Sequence, residues 1–187
     1  MLPIYVVNNF GQFNHLIHRA LRDLDIEVVM VPNSTPSGQI AEKCRGIILG
    51  GGPAIERAGN CFEYLDLDLP VLGICLGLHI IATKFGGVVH KGESGGYGPV
   101  EVRICNHDGI LQGYPETISV WASHADEVSQ MPVGFSHLAS SDICGIEAIA
   151  HPVKKIYGLQ WHPEVSHTFE GNCVFQNFNR ITLENIK

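Results

Sequence analysis

Apolar residues cluster in short unbroken runs through the first half of the chain. LPIYVVN (2–8), IEVVMV (26–31), RGIILGGGP (45–53) and PVLGI (70–74) lack the polar alternation of a half-exposed strand, and they predict strands covered on both faces. Between the first two, QFNHLIHRALRDL places Phe13, Leu16, Ile17, Ala20, Leu21 and Leu24 on one helical stripe. PNSTPSG is a turn-rich break, and LGLHIIATKF is the helix after the fourth strand. Strands alternating with helices imply an α/β fold, with a mostly parallel sheet and helices on both faces. The pattern then changes. GPVEVRIC, TISVWAS, FSHLASS, GIEAIAH and KKIYGLQ read as short strands with few helices between them, and predict antiparallel additions to the same sheet. GNCVFQNFNRITLENI (171–186) predicts a closing helix. With no linker and no internal repeat, residues 1–187 read as one domain.

Composition narrows the function classes. Twelve Lys and Arg against nineteen Asp and Glu give a net charge of −7, with no basic stripe, so nucleic acid is not an expected partner. No run is long and apolar enough to predict a membrane span. The N-terminus lacks a basic n-region and a cleavage site, so it reads as a first strand and not a signal peptide. The six cysteines form no CxxC pair, which removes the zinc-ribbon and thioredoxin motifs. Free thiols in a reducing cytoplasm are the expectation, with no metal site.

One cysteine stands apart. In GICLG (73–77), Cys75 sits between two glycines where a strand turns into a helix, as in a nucleophile elbow with sulfur in place of oxygen. Gly73 and Gly77 have no Cβ, so such a turn can close against neighbouring chain. The start of the following helix favours negative charge on the sulfur, and the Leu76 N–H points toward the same spot. The other five cysteines read as small packed residues. A thiol nucleophile needs a base. GLQWHPEV (158–165) offers His162 at a strand end, with Glu164 two residues on to orient it. LGGGP (49–53) exposes backbone N–H groups at another strand end, fit for a second oxyanion donor. No GK[ST] follows it, which argues against a phosphate cradle.

GGGP, GICLG and WHPEV, in that order, resemble the triad, or class I, glutamine amidotransferase family over essentially the whole chain. The resemblance implies a flavodoxin-like fold and attack by cysteine on the side-chain amide of L-glutamine. It implies Cys75 as nucleophile, His162 as base and Glu164 as third member. Gly52 and Leu76 would form the oxyanion hole, and Gly51, His79, Tyr97, Ser123 and His124 would hold the substrate. HPEVSHT (162–168), VVNNFGQ (6–12), VWASHADEV (120–128) and SSDICGIEA (140–148) resemble the GMP synthetase branch of that family. That implies a two-chain enzyme, in which a separate ATP-pyrophosphatase subunit binds ATP and magnesium and aminates XMP with ammonia made by this chain. The chain itself would need no cofactor.

Some positions depart from the family pattern. His79 stands where a glutamine is usual, and as i+4 from Cys75 it shares that face of the helix. Asn8 replaces an acidic residue, Phe10 a glycine, and Gly145 a longer polar residue. His167 and Thr168 read as partner-facing. His15, His18, His90, His107, His137 and His151 read as ordinary surface or core residues. The departures leave two alternatives open: a docking or regulatory subunit with a weakened glutamine site, and the amidotransferase subunit of another pathway, such as aminobenzoate or anthranilate synthesis.

Overall fold

A computed structural model describes residues 1–185, with the side chains of residues 93 and 94 excepted. Its first half follows the apolar runs. β1 (Ile4–Asn8), β2 (Val28–Pro32), β3 (Gly46–Leu49) and β4 (Val71–Ile74) are joined through α1 (Asn14–Asp23), α2 (Ser37–Ala41) and α3 (Cys61–Tyr64), and α4 (Leu76–Lys84) follows β4. β5 (Val88–Ile104) and β6 (Thr117–Gln130) form a long antiparallel hairpin. β7 (Ser136–Ser141), β8 (Ala148–His151), β9 (Ile156–Leu159) and α5 (Asn172–Glu184) complete the chain. The nine strands of the described residues form one sheet in the order β2-β1-β3-β4-β9-β8-β7-β5-β6.

The first four strands pair in parallel, as the sequence predicts, in the order β2-β1-β3-β4, which the sequence does not give. Most later strands are antiparallel additions, with one exception. β9, from KKIYGLQ, lies parallel to β4, with Ile74 opposite Leu159, and is antiparallel only to β8. Ile74 and Leu159 are far apart in sequence, and no local pattern encodes their pairing. It sets the segment after β9 beside the elbow after β4. The closing helix runs as predicted to Glu184, and Ile186 lies outside the described residues.

Side-chain alternation along the buried strands separates two cores. Ile4, Val6, Ile48 and Leu72 pack with Ile17 and Leu21 of α1 and with Phe175 and Phe178 of α5. Val7, Ile47, Leu49 and Val71 pack with Tyr64 of α3 and Leu78 and Ile81 of α4. α4 is buried on every side from Leu76 to Ala82, which explains its unbroken apolar run. Among the described residues, no helix is long and apolar enough to cross a membrane.

In open parallel sheets the ligand crevice lies beyond the carboxyl ends of the strands, where the order reverses. In this sheet β1 steps outward to β2, and the chain then returns across β1 to β3. The loops after β1, β3, β4 and β9 meet there.

Candidate active site

Cys75 has φ 55° and ψ −105°, a left-handed conformation that costs a non-glycine residue on the order of 1–3 kcal/mol and persists only where the surroundings enforce it. The enforcing contacts are visible. The Cys75 N–H donates to the Leu159 carbonyl of β9 at 2.8 Å. A Cβ on Gly73 would collide with the Gly77 backbone, and one on Gly77 with the Leu49 carbonyl of β3. The two glycines let β3, β4 and α4 close on each other, and the sulfur is pushed into the crevice.

His162 is anchored from several sides. Its N–H donates to the Trp121 carbonyl at 2.9 Å, and its Nδ1 lies 2.7 Å from Glu164 Oε1. The Glu164 side chain is fully buried. Phe13 packs its ring edge-on to the imidazole at 4.9 Å. Burial disfavours the imidazolium. Hydrogen bonds to Cys75 and Glu164, together with their charges, outweigh it and raise the His162 pKa from 6.5 to about 10. A protonated imidazole in contact with a cysteine and backed by a carboxylate can deliver a proton to a departing nitrogen and recover one from water.

Thr168 is not partner-facing. It is buried, its hydroxyl donates to the His162 carbonyl at 2.7 Å, and it accepts from the Trp121 N–H at 3.0 Å. Its neighbour His167 is exposed and stacks on Trp121.

The glycine loop after β3 is held by asparagines. Asn14 Nδ2 donates to the Gly51 carbonyl at 3.0 Å and to Asn8 Oδ1 at 2.9 Å, and Asn9 Nδ2 donates to the Gly50 carbonyl at 3.1 Å. Asn8 Oδ1 also accepts from the Phe10 N–H at 2.9 Å, so its amide oxygen does the accepting that a carboxylate would do there. Phe10 has φ 68°, the region a glycine enters without strain, which is the physical content of that departure from the family pattern.

Two cavities open around Cys75. The smaller, about 230 Å³, is lined by Gly51, Gly52, Cys75, Ser123 and His162, with Phe10, Gln12 and Phe13 from the loop after β1. The larger, about 670 Å³, is lined by Gly52, Cys75, Leu76, His79, Ser123 and His124, with exposed Tyr97 at its edge. β5 and β6 bring the last three together, because Tyr97 pairs with Ser123 and Gly96 with His124. Every site residue named from the sequence thus lies on one of these cavities, except Glu164, which lies behind His162. Asp126, Glu56 and His90 also line the larger one. Strand alternation sets Asp126 on the His124 face, a signal the HAD triplet carries.

His79 is buried and its Nε2 lies 2.8 Å from Gln160 Oε1. Burial lowers its pKa, opposed by the Gln160 hydrogen bond and the Asp126 charge. Burial likewise depresses His124 to about 4; its Nδ1 is engaged by the Asp126 carbonyl, and the nearby His79 and His162 add to the depression. Both imidazoles are therefore neutral near pH 7 and able to share hydrogen bonds with a ligand. Behind Gln160, whose N–H donates to the Glu147 carbonyl, burial pushes the Glu147 carboxyl from 4.5 to about 7 despite its Ser141 hydrogen bond, and Glu127 adds to the shift. A carboxyl raised on folding contributes stability that is complete below pH 4.5 and is lost as pH rises through about 7. Glu147→Gln is accordingly expected to raise the melting temperature at about pH 8, by a stability gain of about 3 kcal/mol, and to change little at about pH 4.5. Thermal melts at the two pH values check this.

All six cysteines are free thiols, and no cluster of three or more His, Cys, Asp or Glu suited to a metal ion occurs among the described residues.

Residues 5–181 match the family model described as glutamine amidotransferase class-I. The chain belongs to this family. A protein of Methanoregula boonei, named as one of the subunits of glutamine-hydrolyzing GMP synthase, is 71% identical over 98% of this chain and 100% of its own length. Its namesake in Methanospirillum hungatei is 67% identical over 95% of each chain. The crystal structure of a putative GMP synthase subunit from Thermoplasma acidophilum superposes with a TM-score of 0.94 at 37% identity, covering 99% of this chain and 96% of that one. The same overall fold, mixed sheet included, is therefore found in that solved relative.

Proposed function

We propose that this chain is the glutaminase subunit of a two-chain GMP synthetase. The observation that carries the reading is Cys75, held at a left-handed φ against His162, which is itself paired with buried Glu164. The near-full-length relatives, each named as one subunit of GMP synthase, support the pathway and the existence of a second subunit. They give no support to the aminobenzoate or anthranilate alternative.

Glutamine enters the larger cavity with its side-chain amide toward Cys75. Asp126 supplies the carboxylate for its α-ammonium group, and the neutral imidazoles of His79 and His124 share hydrogen bonds with its polar end. The thiolate adds to the amide carbon, while the Leu76 and Gly52 N–H groups stabilise the oxyanion. His162 gives its proton to the nitrogen, the C–N bond breaks, and ammonia leaves a γ-glutamyl thioester. Water then yields a proton to His162 and its hydroxide to the carbonyl carbon. The C–S bond breaks, glutamate departs and the thiolate returns. Ammonia passes to the ATP-pyrophosphatase subunit, which holds ATP and magnesium and converts XMP to GMP. Handing ammonia across requires both subunits in one compartment, the cytoplasm.

The test is reconstitution with that subunit, XMP, ATP, magnesium and glutamine. GMP is expected from glutamine without added ammonium. GMP formed only on adding ammonium would instead make this chain a docking subunit with a silent site. Within the same assay His79→Gln is expected to lower the KM for glutamine by about three- to tenfold with kcat little changed, since an amide offers two donors where a neutral imidazole offers one. A KM that stays or rises removes His79 from substrate recognition.

A further inference from the structure

His124 Nδ1 lies 3.0 Å from the Asp126 carbonyl, which can only accept, so the ring proton sits there and Nε2 is left as an acceptor. That Nε2 is buried with no hydrogen-bond partner, and a Cβ on Gly96, its cross-strand neighbour, would lie 2.5 Å from it. His79 shares the wall of the larger cavity with His124 and Asp126, and the charges of the three act on one another. Which nitrogen of His79 carries the proton decides whether this wall donates or accepts. We propose that Gln160 and Glu147, neither of which lines the cavity, are positioning residues that hold the His79 proton on Nε2, so that the wall presents only acceptors and reads the α-ammonium group of glutamine. This rests on the glutaminase reading above.

The path runs through the core. His79 Nε2 lies 2.8 Å from Gln160 Oε1, and both side chains are buried. An amide has a donor end and an acceptor end, and its orientation fixes which one the imidazole meets. The sheet supplies that orientation. The Gln160 N–H donates to the Glu147 carbonyl at 2.8 Å, one step beyond the β8–β9 pair of Ala148 and Leu159. Directly opposed residues of antiparallel strands share a face, so the Gln160 amide and the Glu147 carboxyl are neighbours. Gln160 Nε2 and Glu147 Oε2 are both buried with no hydrogen-bond partner, a donor beside an acceptor. A small rotation or one bridging water joins them. The other carboxyl oxygen, Oε1, accepts from the Ser141 hydroxyl at 2.7 Å, which holds the group in place. With its Nε2 turned to Glu147, Gln160 offers His79 only Oε1, and the Nδ1 lone pair of His79 is left for a ligand. His79 Nδ1, His124 Nε2 and the Asp126 carboxylate then make three acceptors, one for each N–H of a primary ammonium. Among the described residues no lysine or arginine lines this cavity to compete for them.

The experiment compares Gln160→Met, similar in length but without the amide, and Glu147→Gln with the wild type at about pH 8, where the Glu147 carboxyl, raised to about 7, is ionised. Nitrogen-15 NMR of the histidine-labelled full chain reads the tautomer, with His79→Gln identifying the His79 signals. Hydrolysis of glutamine, and of glutaramate, which is glutamine without its amino group, is read in the two-subunit complex. The wild type is expected to hold His79 as the Nε2–H tautomer. Gln160→Met is expected to shift it toward Nδ1–H and to raise the KM for glutamine about three- to tenfold with kcat little changed. Its kcat/KM for glutaramate should stay within about twofold of wild type, since that substrate has no ammonium to read. Glu147→Gln, whose amide can still accept, should show the same split at about two- to threefold, although it is the more stable protein at this pH. An Nδ1–H tautomer in the wild type overturns the proposal. So does a Gln160→Met loss that falls equally on both substrates, as a merely structural residue would give, or a tautomer and KM that do not change. Should Gln160→Met not fold, Glu147→Gln decides by the same criteria. A wild-type complex that hydrolyses neither substrate would remove the glutaminase reading, while the tautomer, read without turnover, still decides whether Gln160 and Glu147 position His79.

Discussion

Cys75→Ala is expected to abolish glutamine hydrolysis, with a loss on the order of 10⁴-fold or more, because no other group can form the acyl intermediate. The fold is expected to survive. The side chain is small, its contact from Sγ to the Ser123 carbonyl is a weak one at 3.8 Å, its other partner is the His162 imidazole, and alanine at φ 55° bears a strain similar to cysteine's. Its melting temperature should therefore stay close to that of the wild type, while GMP formation from added ammonium continues in the complex. That combination separates a lost nucleophile from a lost structure. A variant that still hydrolyses glutamine at the wild-type rate would remove Cys75 from the chemistry.

Gly77→Ala carries the largest expected effect on stability. Its Cβ would enter the space of the Leu49 carbonyl and lie 3.0 Å from the Leu49 Cβ, so β3 or α4 must move. Overpacking against side chains costs about 1–3 kcal/mol, and backbone yields less readily, so a loss of about 3 kcal/mol or more is expected. For a chain of this size that lowers the melting temperature by roughly 10 °C. Gly38→Ala in α2, where an added Cβ meets nothing within 4 Å, is the control and should melt close to wild type. Equal melting temperatures for the two variants would mean that the elbow is not closed by the packing described.

These two sites are legible in the sequence for physical reasons. A cysteine between glycines at a strand end has few purposes, and each glycine proves to have a backbone neighbour where its Cβ would be. The buried parallel strands show as unbroken apolar runs, since both faces of that sheet are covered. Other features have no local signature. The β4–β9 pairing depends on chain far apart in sequence, and it decides that His162 faces Cys75. Thr168 differs from its sequence reading because a hydroxyl near a strand end looks solvent-facing until its two backbone partners, Trp121 and His162, are seen. The residues HKGESGGYG, dense in glycine, carry no strand pattern, yet they extend β5, whose pairing with β6 sets Tyr97 against Ser123. Asn14 is a polar residue beside the apolar stripe of α1, and only the tertiary fold reveals it clamping the glycine loop.

The central claim is covalent bonding between one sulfur and the γ-carbonyl of glutamine. Acid-quenching the complex during turnover and mapping its peptides by mass tests it directly. The expected result is a γ-glutamyl adduct on the peptide containing Cys75, absent from Cys75→Ala. An adduct on any other cysteine, or none while glutamate accumulates, would contradict the claim.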